Sequence, residues 1–122
     1  MMKKISKLNR RLIFQVKRRE QDDELNWNET YENVFETWGS IEGFSGSKSD
    51  TLVAGALGVK SPKKITIRYR EDVKQDMRIL HQTGTDDTGE PIYRTFEVMD
   101  FNDIENKKKQ LEVTCNEVDI NG

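Results

Sequence analysis

The chain has one cysteine and one histidine in 122 residues, and no long apolar run. A single cysteine, Cys115, cannot form an intrachain disulfide, which points to a reducing compartment. With His81 as the lone imidazole, there are too few ligands for a Cys/His zinc site within one chain. No stretch approaches the roughly 20 apolar residues that a bilayer-spanning helix needs, so no membrane association is expected. Lys3, Lys4 and Lys7 are not followed by the apolar segment of a secretory signal. Hydrophobic residues still make up 34% of the chain, and a chain of this length buries roughly two-thirds of its unfolded surface. One folded domain is expected.

Charge is plentiful and unevenly placed. Residues 1–19 carry eight basic side chains (Lys3, Lys4, Lys7, Arg10, Arg11, Lys17, Arg18, Arg19) and no acid, although acids outnumber bases 22 to 20 over the whole chain. A basic arm therefore precedes an acidic body. Such a run is either a solvated terminus or a surface for an anionic partner, nucleic acid or an acidic protein face.

The body reads as short strands. In RLIFQVKR (11–18), Leu12, Phe14 and Val16 alternate with polar residues. The polar stretch 20–29 reads as a long hairpin loop. In YENVFETWGSIE (31–42) both faces carry large apolar groups: Phe35 and Ile41 on one, Val34 and Trp38 on the other. Successive strand side chains point opposite ways, so either Gly39 marks a bulge that switches the face or one set is covered by another subunit or by the segment that follows. Residues 43–62 are rich in glycine, serine and small apolar residues; Asp50 could cap a short helix over Thr51–Leu57, ended by Gly58. In residues 63–70 Ile65, Ile67 and Tyr69 face inward, and in 76–81 Met77 and Ile79 do so. A loop is expected over 83–91. Strands at 92–99 and 110–118 turn Phe96 and Val98, then Leu111, Val113 and Cys115, toward the core. This spacing predicts an all-β domain over 11–118: a small antiparallel barrel or sandwich of five to seven strands. Residues 1–10 form an arm, 43–62 a flexible insertion with a short helix, and 119–122 a tail.

No catalytic set emerges. His81 has no acid at motif spacing. Cys115 continues an apolar row and reads as a small hydrophobe. Asp86–Glu90 lacks the spaced ligands of a calcium loop, and no phosphate-binding glycine motif follows a strand. Neither cofactor nor metal is expected, and the chain reads as a non-enzyme. Tyr69 points away from Arg68 and Arg70, so those residues do not make a stacking platform for bases. A nucleic-acid-binding barrel acting through the basic arm is the alternative from another class.

Several segments in this order resemble the head–tail joining proteins of long-tailed bacteriophages, also called head-completion or stopper proteins. They are LNRRLIFQ, Trp27, TWGSIEGFSG (37–46), KKITIRYR (63–70) with DMRIL (76–80), TFEVMDF (95–101) and QLEVTCNEV (110–118). The resemblance covers about residues 8–118. Gly43 and the longer segment between DMRIL and TFEVM depart from it. It implies a small barrel without catalysis, whose copies form a ring, expected to be dodecameric, beneath the portal and its adaptor. That ring would close the filled head over packaged double-stranded DNA and meet a tail-side completion protein. Such a protein belongs to the virion and is assembled in the host bacterial cytoplasm; a tail-completion protein of the same joint is the neighbouring alternative. On this reading Ser45, Gly46, Ser47, Lys48, Ser49, Asp50, Thr51, Leu52, Val53 and Leu57 line or plug the channel. Lys3, Lys4, Lys7, Arg10 and Arg11 bind a partner, and Val34 and Trp38 belong to a subunit interface.

Overall fold

The computed structural model describes residues 3–43 and 61–118. Six strands cover most of them: β1 (Arg10–Gln21), β2 (Trp27–Gly43), β3 (Pro62–Arg68), β4 (Arg78–Thr85), β5 (Pro91–Asp103) and β6 (Gln110–Val118). Short 3-10 turns lie at Ile5–Lys7 and Ile104–Asn106. All neighbouring strands are antiparallel, and the order β1-β2-β3-β6-β5-β4 closes into a barrel that is not evenly round. The closing seam is thin: β1 meets β4 only at Ile13, Phe14 and Gln15, opposite Leu80, Ile79 and Arg78. The short helix expected within 43–62 and the tail at 119–122 lie outside the described residues.

The alternating apolar positions fill the barrel. Leu12, Phe14, Ile65, Ile67, Ile79, Phe96, Val98, Leu111, Val113 and Cys115 are almost wholly buried. Phe14 stacks on Phe35 with ring centroids 4.6 Å apart. One mouth is closed by the β3–β4 connection, which turns Val73 and Met77 inward. Asp76 adopts φ 69 and donates its amide to Val98 O, and Met77 O accepts from Val98 N, so β4 begins at Arg78.

Three details differ from the sequence reading. The first hairpin is not a loop over 20–29: β1 runs to Gln21 and β2 starts at Trp27. The second is likewise longer, with strand to Thr85 and from Pro91. The bulge in β2 is at Val34, which is left unpaired where Phe14 faces Phe35 and Gln15 faces Asn33. Gly39 has a different task. It pairs with Arg10 on one side and Ile67 on the other, where β2 passes from β1 to β3. A Cβ there would lie 2.6 Å from Leu12 Cδ1 and 2.7 Å from Thr66 O. Glycine lets the three strands close at this corner.

Past Gln15, β1 pairs with β2 alone. Residues 16–33 thus form a two-stranded ribbon, about 20 Å long at the usual rise of a strand. The antiparallel pairings place its tip at the barrel end where β3 and β5 finish. The β4–β5 ribbon, turning at 86–90, leaves from the opposite end. Gly43 and Lys63 are paired at that opposite end too, so the segment between Gly43 and Ser61 leaves and returns at neighbouring strand ends.

Candidate functional site

The arm is fastened to the barrel. Lys3 N donates to Gln110 Oε1 at 2.8 Å, and Gln110 Nε2 donates back to Lys3 O at 2.6 Å. Lys3 Nζ also pairs with Glu42, and Leu8 is buried. Strand alternation points Ser40, Thr66 and Gln110 away from the core, yet all three are buried; the Lys3 contacts put the arm over them. The five basic residues singled out in the sequence therefore differ in setting. Lys3 is part of the fold, and Arg11 pairs with Glu36 at 3.2 Å and lies over the Trp38 ring. Lys4, Lys7 and Arg10 are exposed and form no ion pair among the described residues.

Val34 and Trp38 lie on the outer side of β2, 45% and 51% exposed. The bulge leaves Phe35 facing inward against Phe14 while Val34 stays outside. The strand's two apolar faces are thus divided between core and surface. The outer face of the ribbon is tied together by cross-strand pairs. Lys17 meets Glu29 at 3.3 Å, Arg19 lies over Trp27, and Arg78 of β4 lies 3.5 Å over the Tyr31 ring. Such pairs hold strands that have no core to pack on.

The ribbon tip was not recognisable as a surface in the sequence. Its turn, Asp22–Asn26, closes with Asp22 N donating to Asn26 O and Leu25 N to Asp22 O. Leu25 takes φ 67 and is 72% exposed; Trp27 next to it is 59% exposed. The signal was the likeness of Asp22-Asp23-Glu24-Leu25-Asn26 to Asp86-Asp87-Thr88-Gly89-Glu90, in which leucine stands where the second turn has glycine.

The groups with chemical potential have structural surroundings. His81 is buried at the β1 edge, with Nδ1 3.2 Å from Arg11 O; protonated there, it donates to that carbonyl. Burial pushes the Cys115 thiol up to about 12, leaving it protonated at neutral pH. Arg94 makes a bidentate pair with Glu117, both contacts 2.9 Å, and holds that carboxyl below its ordinary range. It fastens the β4–β5 ribbon to β6. The residues of the expected channel segment, Ser45 to Leu57, lie outside the described residues.

The solution structure of protein SF1141 from Shigella flexneri 2a has the same fold. It superposes with a TM-score of 0.66 at 24% identity, covering 94% of this chain and 96% of that one. No curated protein matches. The phage head completion protein family matches residues 3–118, from the fastened arm through the last strand. The chain belongs to the phage head completion protein family.

Proposed function

We propose that this chain forms a ring below the portal and adaptor of a phage head–tail connector, closing the DNA-filled head and offering the tail a surface. Membership of the head completion family carries this reading, since it gives the chain a structural role in the virion at the head–tail joint. The exposed Val34 and Trp38 support it: a ring interface would cover apolar groups that a free barrel leaves in water. Lys4, Lys7 and Arg10 would meet an acidic face of the portal or adaptor.

Within the ring, residues 45–57 would line or plug the channel. Their support is that Gly43 and Lys63 are paired, so a segment leaving at one end of the barrel returns beside its start. The small apolar and hydroxyl side chains expected there do not grip phosphates, which suits a constriction that DNA passes on ejection.

Heads assembled without this chain should fill and then lose DNA. Adding the purified protein should restore DNA retention and tail joining. A variant with residues 47–58 replaced by a Gly/Ser linker should fold with an unchanged thermal midpoint, attach to heads and leak. Wild-type protein that binds heads without changing retention or tail joining would remove the reading. A linker variant that unfolds would instead make the segment part of the core.

A further inference from the structure

The ribbon tip exposes a leucine in a backbone conformation that disfavours it. A left-handed φ is unfavourable for a residue with a Cβ, and a side chain left in water recovers none of that by burial. The Leu25 side chain therefore adds no burial to the isolated turn. It sits at the farthest point of the ribbon, beside exposed Trp27 and the carboxylates of Asp23 and Glu24, which are exposed and make no ion pair among the described residues. Asp22 is occupied by the amides of Glu24 and Asn26. The tip is thus apolar and acidic.

A surface that can receive such a tip lies over β4 and β5. It is a groove of about 850 Å3 lined by Tyr31, Arg78, Leu80, Pro91, Ile92 and Tyr93, among others. Ile92 and Tyr93 are exposed. Arg78 stacks on Tyr31, its Nε has no hydrogen-bond partner, and it pairs with no carboxylate among the described residues. Its lining is mixed: Arg94 is paired with Glu117 and the Asp86 carboxylate accepts amides of its own turn, which leaves Arg78 as the charge there without a partner among the described residues. The chain's own tip cannot enter it. Tyr31 stands on β2 with Trp27, and the four residue steps from one to the other hold the tip about 13 Å away along a paired strand.

We infer that the Leu25–Trp27 tip of one copy seats in the Arg78–Ile92 groove of the next, with Glu24 approaching Arg78. Because tip and groove are different surfaces, the contact is head-to-tail and closes into a ring when the rotation between copies permits. The inference rests on the ring reading above and names the contact that would build it.

The test uses the full-length protein on filled heads. Leu25→Cys and Ile92→Cys variants are added singly and mixed, then treated with a short bismaleimide. Cys115 is buried and protonated and does not compete. A cross-linked dimer in the mixture alone is the expected result. Rings that form without that cross-link overturn the contact and leave the ring reading standing. The absence of any ring overturns both. A cross-link from Leu25→Cys to a different virion protein overturns the copy-to-copy assignment. As an independent measurement, Arg78→Glu should lower ring formation about tenfold in a variant that still folds, its thermal midpoint lowered only by loss of the Tyr31 stack, and adding Glu24→Arg in the same chain should restore ring formation without restoring that midpoint. No recovery from two folded variants counts against the pairing.

Discussion

The turns at Asp22–Asn26 and Asp86–Glu90 share one hydrogen-bond scheme. In each, the first aspartate amide donates to the carbonyl four residues on, and its carbonyl accepts from the residue three on. In each, its carboxylate accepts the amides two and four residues on. They differ at the left-handed position, where Gly89 takes φ 88 and Leu25 takes φ 67. The ribbons beneath them differ as well. The β4–β5 ribbon is clamped to β6 by the partly buried Arg94–Glu117 pair, whereas the β1–β2 ribbon past Gln15 is held by more exposed pairs such as Arg18–Glu32. One ribbon uses the favourable residue and is fastened to the barrel. The other carries the unfavourable one and, beyond Val16 and the Arg78–Tyr31 contact at its base, projects from the barrel. A strained apolar tip on a projecting ribbon is what an assembly contact requires and what an isolated hairpin does not.

The largest effect should come from breaking the base the two ribbons share. Gly39→Ala would put a methyl group 2.7 Å from the backbone oxygen of Thr66 and 2.9 Å from Ile67 Cγ2. Because one obstacle is backbone, β2 and β3 must separate. A loss of about 3 kcal/mol is expected, at the upper end of overpacking costs, read as a lower denaturation midpoint with the slope unchanged. If Gly39→Ala is neutral, the close corner does not set the barrel and the ribbons are not referred to a common rigid base.

Exchanging the left-handed residues tests the comparison directly. Leu25→Gly should strengthen the first turn by about 0.5–1 kcal/mol, since relieved strain exceeds the added freedom of the unfolded chain. Gly89→Leu should weaken the second by about 1 kcal/mol. Amide hydrogen exchange at the ribbon ends resolves these local changes even where global unfolding does not. Slower exchange near Gln21 and Trp27 in the first variant, and faster exchange near Thr85 and Pro91 in the second, is expected. Faster exchange in Leu25→Gly would show that Leu25 stabilises its own turn and would remove the reason to assign it a partner.

The same contrast explains what the sequence disclosed. Strands facing the core were readable because water and interior impose a period of two: β6 begins and ends where the pattern of Leu111, Val113 and Cys115 predicts. Beyond Val16, which packs against the core, the ribbon at 16–33 has no core face, so its strands show no such period. Its order comes from cross-strand pairs, among them Gln15 with Asn33 at 2.7 Å and Arg18 with Glu32 at 2.7 Å, which along the chain are only polar residues. The second turn was signalled by its glycines, aspartates and proline; the first, with leucine in the place of Gly89, read as a long hairpin loop over 20–29 with no tight turn picked out within it. Gly39 signalled something unusual in β2, but a glycine that permits close approach looks the same in sequence as one that forms a bulge. The basic arm was visible as charge. Its fastening was not, because Lys3 and Gln110 are far apart in the chain and meet only when β6 is in place.

The smallest expected effect concerns the two anchoring carboxylates. Both Asp22 and Asp86 are held below the ordinary aspartate value, for different main reasons. For Asp22 the leading cause is the amide of Asn26; for Asp86 it is the Thr88 side chain, whose hydroxyl donates at 2.7 Å. The ionised carboxylate is the better acceptor for these donors, so each turn is tightest with its aspartate charged. A lowered folded value means the contribution is complete above the unfolded aspartate value and is lost as pH falls through the folded one. Both ribbons should therefore fray at acid pH, with the amide resonances of Glu24 and Asn26 following Asp22 and those of Thr88 and Glu90 following Asp86. Thr88→Val removes the hydroxyl while keeping the amide. It should raise the Asp86 midpoint toward the ordinary value and leave Asp22 unmoved, as carboxyl carbon shifts would register. Equal movement of both midpoints would mean that the two turns respond to the overall charge of the chain. An unmoved Asp86 would mean that its backbone amides alone set the turn, making the two anchors equivalent and leaving Leu25 as their one difference.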